Sequence, residues 1–209
     1  DSTVDTCLSV QNGMGNEETL SAELDCPVLA GTCTYGARRE TSGTVAHTGK
    51  GTVTLGPRTG GESKISQRIR QAFEQAGIAT EVSGAMPTKQ WEKLAVNAAI
   101  NAATALARVE NGRLGEGPGW EIAREAASEV ARVARTQGIE LPDERALALT
   151  RQVITDTARN CSSMYQDVDA GNKTEIDAIN GYVVEIAENA VPVNRTLTDL
   201  IRTWEQSHA

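Results

Sequence analysis

Gln90-Trp91-Glu92-Lys93-Leu94-Ala95-Val96-Asn97-Ala98-Ala99-Ile100-Asn101-Ala102-Ala103-Thr104-Ala105-Leu106 is the stretch on which the reading of this chain turns. Most of it is apolar, yet Lys93, Asn97, Asn101 and Thr104 recur at i, i+4, i+8 and i+11. At about 3.6 residues per turn they form one stripe on one face of a helix. The stripe has two readings. A plain solvent face would be better served by Lys, Glu or Gln, because Asn is a poor helix former. The lining of a polar cleft accounts for groups that cost about 1–3 kcal/mol each when buried unsatisfied. The pattern favours the cleft. There Lys93 suits a general acid, since desolvation moves a lysine pKa toward neutrality. Asn97 and Asn101 offer amides one turn apart to a hydroxyl or carboxylate.

Outward from this helix the two sides differ. Toward the C-terminus helical periodicity dominates, with helices predicted near 88–107, 118–137, 143–165, 172–190 and 196–207. Gly138 and Pro142 separate two of them and Pro192 precedes the last. Toward the N-terminus the signals are short and mixed. Strands are predicted at 6–10, 28–35, 44–48, 51–55 and 79–82, with Gly49-Lys50 as a two-residue hairpin turn. Glu17 and Glu18 open a helix where the dipole favours carboxylates. A second helix over 63–76 closes at Gly77. Residues 1–84 thus read as α/β and 85–209 as all-helical. The α/β piece is too small for a complete doubly wound domain and shows at most one half of it, a Rossmann-type remnant.

Composition limits the function classes. The net charge of −8 disfavours a nucleic-acid backbone or an anionic membrane as partner. No apolar run approaches the roughly 18 residues that span a bilayer. The four cysteines form no C-x-x-C pair and there are only two histidines, so a Cys/His metal site is not expected. Reduced thiols in a cytoplasmic protein are the simplest account of them. With a single Phe, the core has to be built from Ala, Val, Leu and Ile. The chain begins at Asp1 rather than Met, and the expectation is that something upstream has been removed or left out.

Two further clusters carry polar chemistry. The segment from Asn160 to Gly181 contains Ser162-Ser163-Met164 and Thr174-Glu175-Ile176-Asp177. On pattern alone Glu175 and Asp177 are first-turn carboxylates that complement a helix dipole. The turn Gln11-Asn12-Gly13-Met14-Gly15-Asn16 lies between a strand and a helix, which suits an anion. It lacks the third glycine of a dinucleotide fingerprint and is a poor pyrophosphate loop.

Taken in series these stretches resemble the ketopantoate reductase (2-dehydropantoate 2-reductase) family. They are Gln11 to Glu18, Gly36-Ala37-Arg38-Arg39, Trp91 to Asn97 with Ile100-Asn101, Asn111-Gly112-Arg113-Leu114, Ser162 to Asp167, and Thr174 to Gly181. The resemblance implies a Rossmann-type portion followed by a helical domain like the C-terminal domain of 6-phosphogluconate dehydrogenase. It implies transfer of a hydride from NADPH to the ketone of 2-dehydropantoate, giving pantoate on the pathway to coenzyme A. Lys93 matches the family's proton donor and Glu175 a glutamate near both cofactor and substrate hydroxyl. Asn97, Asn101, Asn111 and Ser163 match substrate contacts, while Asn12 and Ala37 match positions on the nicotinamide side. A homodimer formed through the helical domain is also implied. The family opens with a strand, a G-x-G-x-x-G turn and a helix that hold the pyrophosphate, and this sequence has no such stretch. That leaves two expectations: a reductase whose front end lies outside the sequence, or a non-catalytic relative serving as a helical dimerisation or ligand-binding module. A third is a related reductase for another 2-keto acid.

Overall fold

The computed structural model describes residues 4–208, without the side chains of Arg38, Arg39 and Thr48. Asp1 and the side chains of the Arg38-Arg39 pair therefore lie outside the described residues. The chain divides into an α/β unit of residues 1–11 and 15–90 and a helical unit of residues 12–14 and 91–209.

The α/β unit contains β1 (Cys7–Ser9), α1 (Asn16–Glu23), β2 (Val28–Cys33), β3 (Gly36–Thr41), β4 (Thr44–Gly49), β5 (Val53–Pro57), α2 (Lys64–Gln75) and β6 (Thr80–Val82). The main sheet runs β1-β2-β5-β6. β1 is parallel to β2 through the α1 crossover, β5 is parallel to β6 through α2, and β2 and β5 are antiparallel. Leu29, Ala30, Val53 and Leu55 bury its centre. Ser63 caps α2 by accepting from Ser66 N–H. Gly77, at φ +79°, ends it as expected, with Ile78 N–H reaching back to Phe73 O.

The expected hairpin at Gly49-Lys50 is not formed. β4 instead pairs with β3 across Ser42-Gly43, with Gly43 at φ +82°. The reason lies at Gly51, where a Cβ would come within 2.3 Å of Tyr35 N. Thr34 N–H donates to Thr52 O and Thr52 N–H to Thr34 Oγ1. These bonds draw residues 51–53 alongside 33–35 and feed β5 onto β2. The Gly-Lys-Gly run serves close backbone approach, not a turn.

The helical unit begins within α3 (Met86–Ala107) at Trp91, and continues with α4 (Gly117–Thr136), α5 (Asp143–Asp156), α6 (Ser163–Asp169), α7 (Asn180–Ile186) and α8 (Pro192–His208). Short 3-10 turns span Asn111–Leu114 and Ile176–Ala178. Ala98, Ala99 and Ala102 of α3 and Ala123, Ala126, Ala127 and Ala131 of α4 are fully buried. Such small faces let helices approach closely, and Leu141, Met164, Ile176, Ile179, Val183 and Ile201 fill the remainder.

Two helices differ from expectation. The stretch 143–165 is broken between Asp156 and Ser163, and 172–190 becomes α-helical only at Asn180. No helix among the described residues is long and apolar enough to cross a membrane.

Candidate active site

The stripe on α3 is graded along its length. Lys93 and Asn97 are half-buried, Asn101 is buried and Thr104 is fully enclosed. Thr104 Oγ1 lies 2.8 Å from Ile100 O and 2.8 Å from Ser162 Oγ, so its hydroxyl is consumed inside the protein. The other three residues continue the same face of the helix toward its N-terminal end. Among the described residues the side-chain amides of Asn97 and Asn101 have no hydrogen-bond partner. Two unclaimed amides one turn apart, one turn beyond a half-buried lysine, form a polar row with spare hydrogen-bonding capacity.

Asn12 reaches the helical unit because the turn 12–14 packs into it. Met14 N–H donates to Ala178 O at 2.9 Å, and a Cβ on Gly13 would sit 2.4 Å from that oxygen. Gly13 also has φ +79°, so both space and backbone require glycine here. This docking brings Asn12 Nδ2 to Glu175 Oε2 at 2.9 Å.

Glu175 does not lie in the first turn of an α-helix. It precedes a three-residue 3-10 turn at φ −90°, ψ 21°, which removes the dipole reading. Asp167 of α6 shares its surroundings. Burial first, then the charge of Glu175, hold the Asp167 carboxyl above its ordinary range. Asp167 lies inside a stretch quoted for the resemblance, but its burial had no signal in the sequence.

Asn111 and Ser163 sit around the break between α5 and α6. Asn111 N–H donates to Asn160 O and its Nδ2 to Thr157 Oγ1, both at 2.9 Å. Its Oδ1 is buried without a partner among the described residues, an acceptor kept open. Ser162 caps α6 by accepting from Tyr165 N–H, leaving Ser163 exposed at the first position of the helix. Ser162 Oγ also joins the Thr104 turn, so Ser163 starts beside the Asn101 end of the row. Ala37 is exposed on β3 and lines an apolar hollow of about 480 Å³ with Leu8, Val10, Tyr35 and Val45 in the α/β unit. The structure therefore pairs Asn12 with Glu175, aligns Lys93, Asn97 and Asn101, and bonds Ser162, the neighbour of Ser163, to the Asn101–Thr104 end of α3. Asn111 is held with 157–160, and Ala37 belongs to the other unit.

The described residues do not fit a dinucleotide's pyrophosphate. The Asn-Gly-Met-Gly turn commits its Met14 amide to Ala178, and α1 places a buried carboxylate, Glu17, in its first turn. A helix start with its own buried acid opposes an anion. What the site presents is a half-buried lysine, two asparagine amides along one helix face, and a carboxylate beside Asn12.

Comparison with known proteins agrees with this reading of the fold. The family described as ketopantoate reductase PanE/ApbA, C terminal, matches residues 85–205, and ketopantoate reductase PanE/ApbA matches residues 3–60. The 2-dehydropantoate 2-reductase of Halobacterium salinarum is 42% identical over 93% of this chain and 66% of its own length. That of Archaeoglobus fulgidus is 39% identical over 94% of this chain and 67% of its own. Among solved structures, the PanE/ApbA family ketopantoate reductase from Ralstonia eutropha JMP134 has a TM-score of 0.88 at 33% identity, covering 99% of this chain and 69% of that one. D-mandelate dehydrogenase with NADH and anilino(oxo)acetate gives a TM-score of 0.89 at 25% identity, over 96% of this chain and 68% of that one. The chain belongs to the ketopantoate reductase family. It spans about two thirds of the length of the curated relatives it matches.

Proposed function

We propose that this chain carries the substrate side of an NADPH-dependent reductase that converts 2-dehydropantoate to pantoate in coenzyme A biosynthesis. The observation that supports it best is the row on α3, in which Lys93 is followed by two asparagine amides that no described residue engages. In this reading Lys93 polarises the ketone oxygen and protonates the alkoxide as it forms. Asn97 and Asn101 hold the hydroxyl or carboxylate, and Asn111 and Ser163 add contacts at the far end. Glu175, oriented by Asn12, stands near the substrate hydroxyl and the cofactor. Ala37 lies on the nicotinamide side. NADPH supplies the hydride, and its phosphates require a cradle that the described residues do not provide. Residues 85–209 form the substrate and dimerisation domain of a cytoplasmic homodimer.

The test is NADPH oxidation by the full chain with 2-dehydropantoate, beside Lys93→Ala. Loss of general acid catalysis is expected to lower kcat by a factor of about 10² or more. Equal turnover by the variant removes Lys93 from the mechanism. The D-mandelate dehydrogenase relative makes the acyl chain of the 2-keto acid an open variable. Faster turnover of another branched 2-keto acid than of 2-dehydropantoate would reassign the substrate. One observation favours a second reading, a ligand-binding module without turnover: the Met14 amide is already taken by Ala178. Lys93-dependent NADPH oxidation with 2-dehydropantoate excludes it.

A further inference from the structure

Glu175 is bracketed by two residues that α8 grips. On one side Thr174 donates both its backbone N–H and its hydroxyl to Glu205 Oε1, each at 2.8 Å. Thr174 Oγ1 in turn accepts from Ile176 N–H at 3.2 Å. On the other side Arg202 Nε and Nη2 both lie on Asp177 Oδ1, at 2.8 and 2.7 Å. Arg202 and Glu205 are three residues apart and share a face of α8.

The two grips are unequal. Arg202 and Asp177 are both about half exposed, so their pair is screened and contributes little. Thr174 is buried, and its bonds to Glu205 are charge-assisted. Every hydrogen-bonding group of the Thr174 side chain is used: its proton on Glu205, a lone pair on Ile176 N–H. Removing Glu205 would strand two donors of a buried residue at once. Among the described residues Glu175 itself makes no bond to α8. Its carboxylate turns instead toward Asn12.

We propose that Glu205 is a positioning residue for Glu175: by fixing Thr174 it sets the direction in which the Glu175 carboxylate leaves the backbone toward Asn12. The inference rests on the reading of Glu175 as a functional group, and Glu205 acts only through Thr174.

Asp167 supplies the readout, because the charge of Glu175 contributes to the elevation of its titration. The experiment is a carboxyl-carbon NMR titration and amide exchange measurement on the full chain without ligands. In Glu205→Ala the Asp167 midpoint falls toward the ordinary range as Glu175 swings away. The Thr174 and Ile176 amides then exchange about tenfold faster. Glu205→Gln loses the same charge but keeps an acceptor oxygen, so the bonds weaken without being lost and both readouts stay closer to wild type than in Glu205→Ala. Thr174→Val removes one of the two bonds to Glu205 and also the acceptor of the Ile176 amide, so the Ile176 exchange rate is set aside there. The Asp167 midpoint and the Thr174 amide shift the same way by less, which decides the matter even where Glu205→Ala does not fold. An unmoved Asp167 midpoint in Thr174→Val, or a Gln variant that behaves like a folded Ala variant, overturns the proposal. Neither arm needs cofactor or substrate. A chain that fails to reduce 2-dehydropantoate thus counts against the functional reading while leaving these outcomes decisive.

Discussion

Glu17 opens α1, yet its side chain is only 3% exposed, beside Ser9 and Gln90. Burial raises its pKa first. Its own backbone amide then works the other way, the neighbouring Glu18 charge raises it again, and bonds from Gln90 and Ser9 lower it, with a net rise above 4.5. A raised folded-state pKa means that the folded chain holds the proton more tightly than the unfolded one. Its stabilising contribution is full below the ordinary 4.5 and is lost as pH rises through the elevated value. Asp167 follows the same sign from its ordinary 3.8. Glu17→Gln is therefore expected to raise the Tm at neutral pH, with the gain vanishing below pH 4.5. Thermal melts of both proteins across that range check it. A gain that persists in acid would mean that the charge is not what is costly. The sequence pattern had placed Glu17 with Glu18 as dipole-favoured carboxylates; nothing in the spacing of a single acidic pair distinguishes the buried member from the exposed one.

At the scale of elements, the start of α6 depends on one hydroxyl junction. Thr104 Oγ1 lies 2.8 Å from Ile100 O and 2.8 Å from Ser162 Oγ, and Tyr165 N–H donates to Ser162 Oγ; with the Thr104 proton on Ile100 O and the Ser162 proton on Thr104 Oγ1, each group is satisfied. Ser162→Ala loses both the cap and the link and is expected to cost about 1–2 kcal/mol. Thr104→Val should cost about 1 kcal/mol. The double variant is expected to lose less than the sum, because the two share a bond. Urea denaturation of the four proteins measures this, and strict additivity would show the junction to be two independent contacts. The same junction explains what was legible beforehand. α3 and α4 were readable because long apolar faces at helical spacing decide them locally. The break at 157–162 was not, since it is fixed by partners far along the chain. Asn111 and Gly112 donate to Asn160 O and Ala158 O, and a Cβ on Gly112 would lie 2.8 Å from Ala158 O. β3 was missed for a related reason: its pairing with β4 depends on how Gly51 passes Tyr35. The site residues were legible as types in an order. Which of them meet was not, because the Asn12–Glu175 contact joins positions 163 residues apart.

At the scale of the whole helical unit, one buried polar chain links four helices. Pro192 opens α8 without an N–H, and the next two amides, Val193 and Asn194, donate to Glu129 Oε1 and Oε2 at 3.0 and 2.9 Å. Glu129 is fully enclosed in α4 and also accepts from Asn194 Nδ2 at 2.7 Å. Asn194 Oδ1 then accepts from Asn180 Nδ2 of α7, which donates as well to Ala98 O of α3. An anion at a helix start is favourable, and three N–H donors offset the cost of enclosing it. Taking Glu129 away leaves the buried Asn194 N–H and the part-buried Val193 N–H without their acceptor and Asn194 Nδ2 with Ala126 O alone, so Glu129→Ala is expected to lower the unfolding free energy by about 3 kcal/mol. Asn180→Ala strands less. Its Oδ1 already has no partner among the described residues, and its loss removes two donors rather than a charge. About 1–2 kcal/mol is expected there. Arg124→Ala, which deletes exposed pairs with Glu121 and Glu125, should stay within about 0.5 kcal/mol. The ranking Glu129, Asn180, Arg124 in urea melts is the discriminating result, because a protein held mainly by its many surface ion pairs would level or invert it. Ala98 lies next to Asn97, so this chain of bonds ends at the backbone that carries the polar row. If the proposed function holds, Asn180→Ala is then expected to weaken pantoate binding by calorimetry beyond what its loss of stability alone would cause.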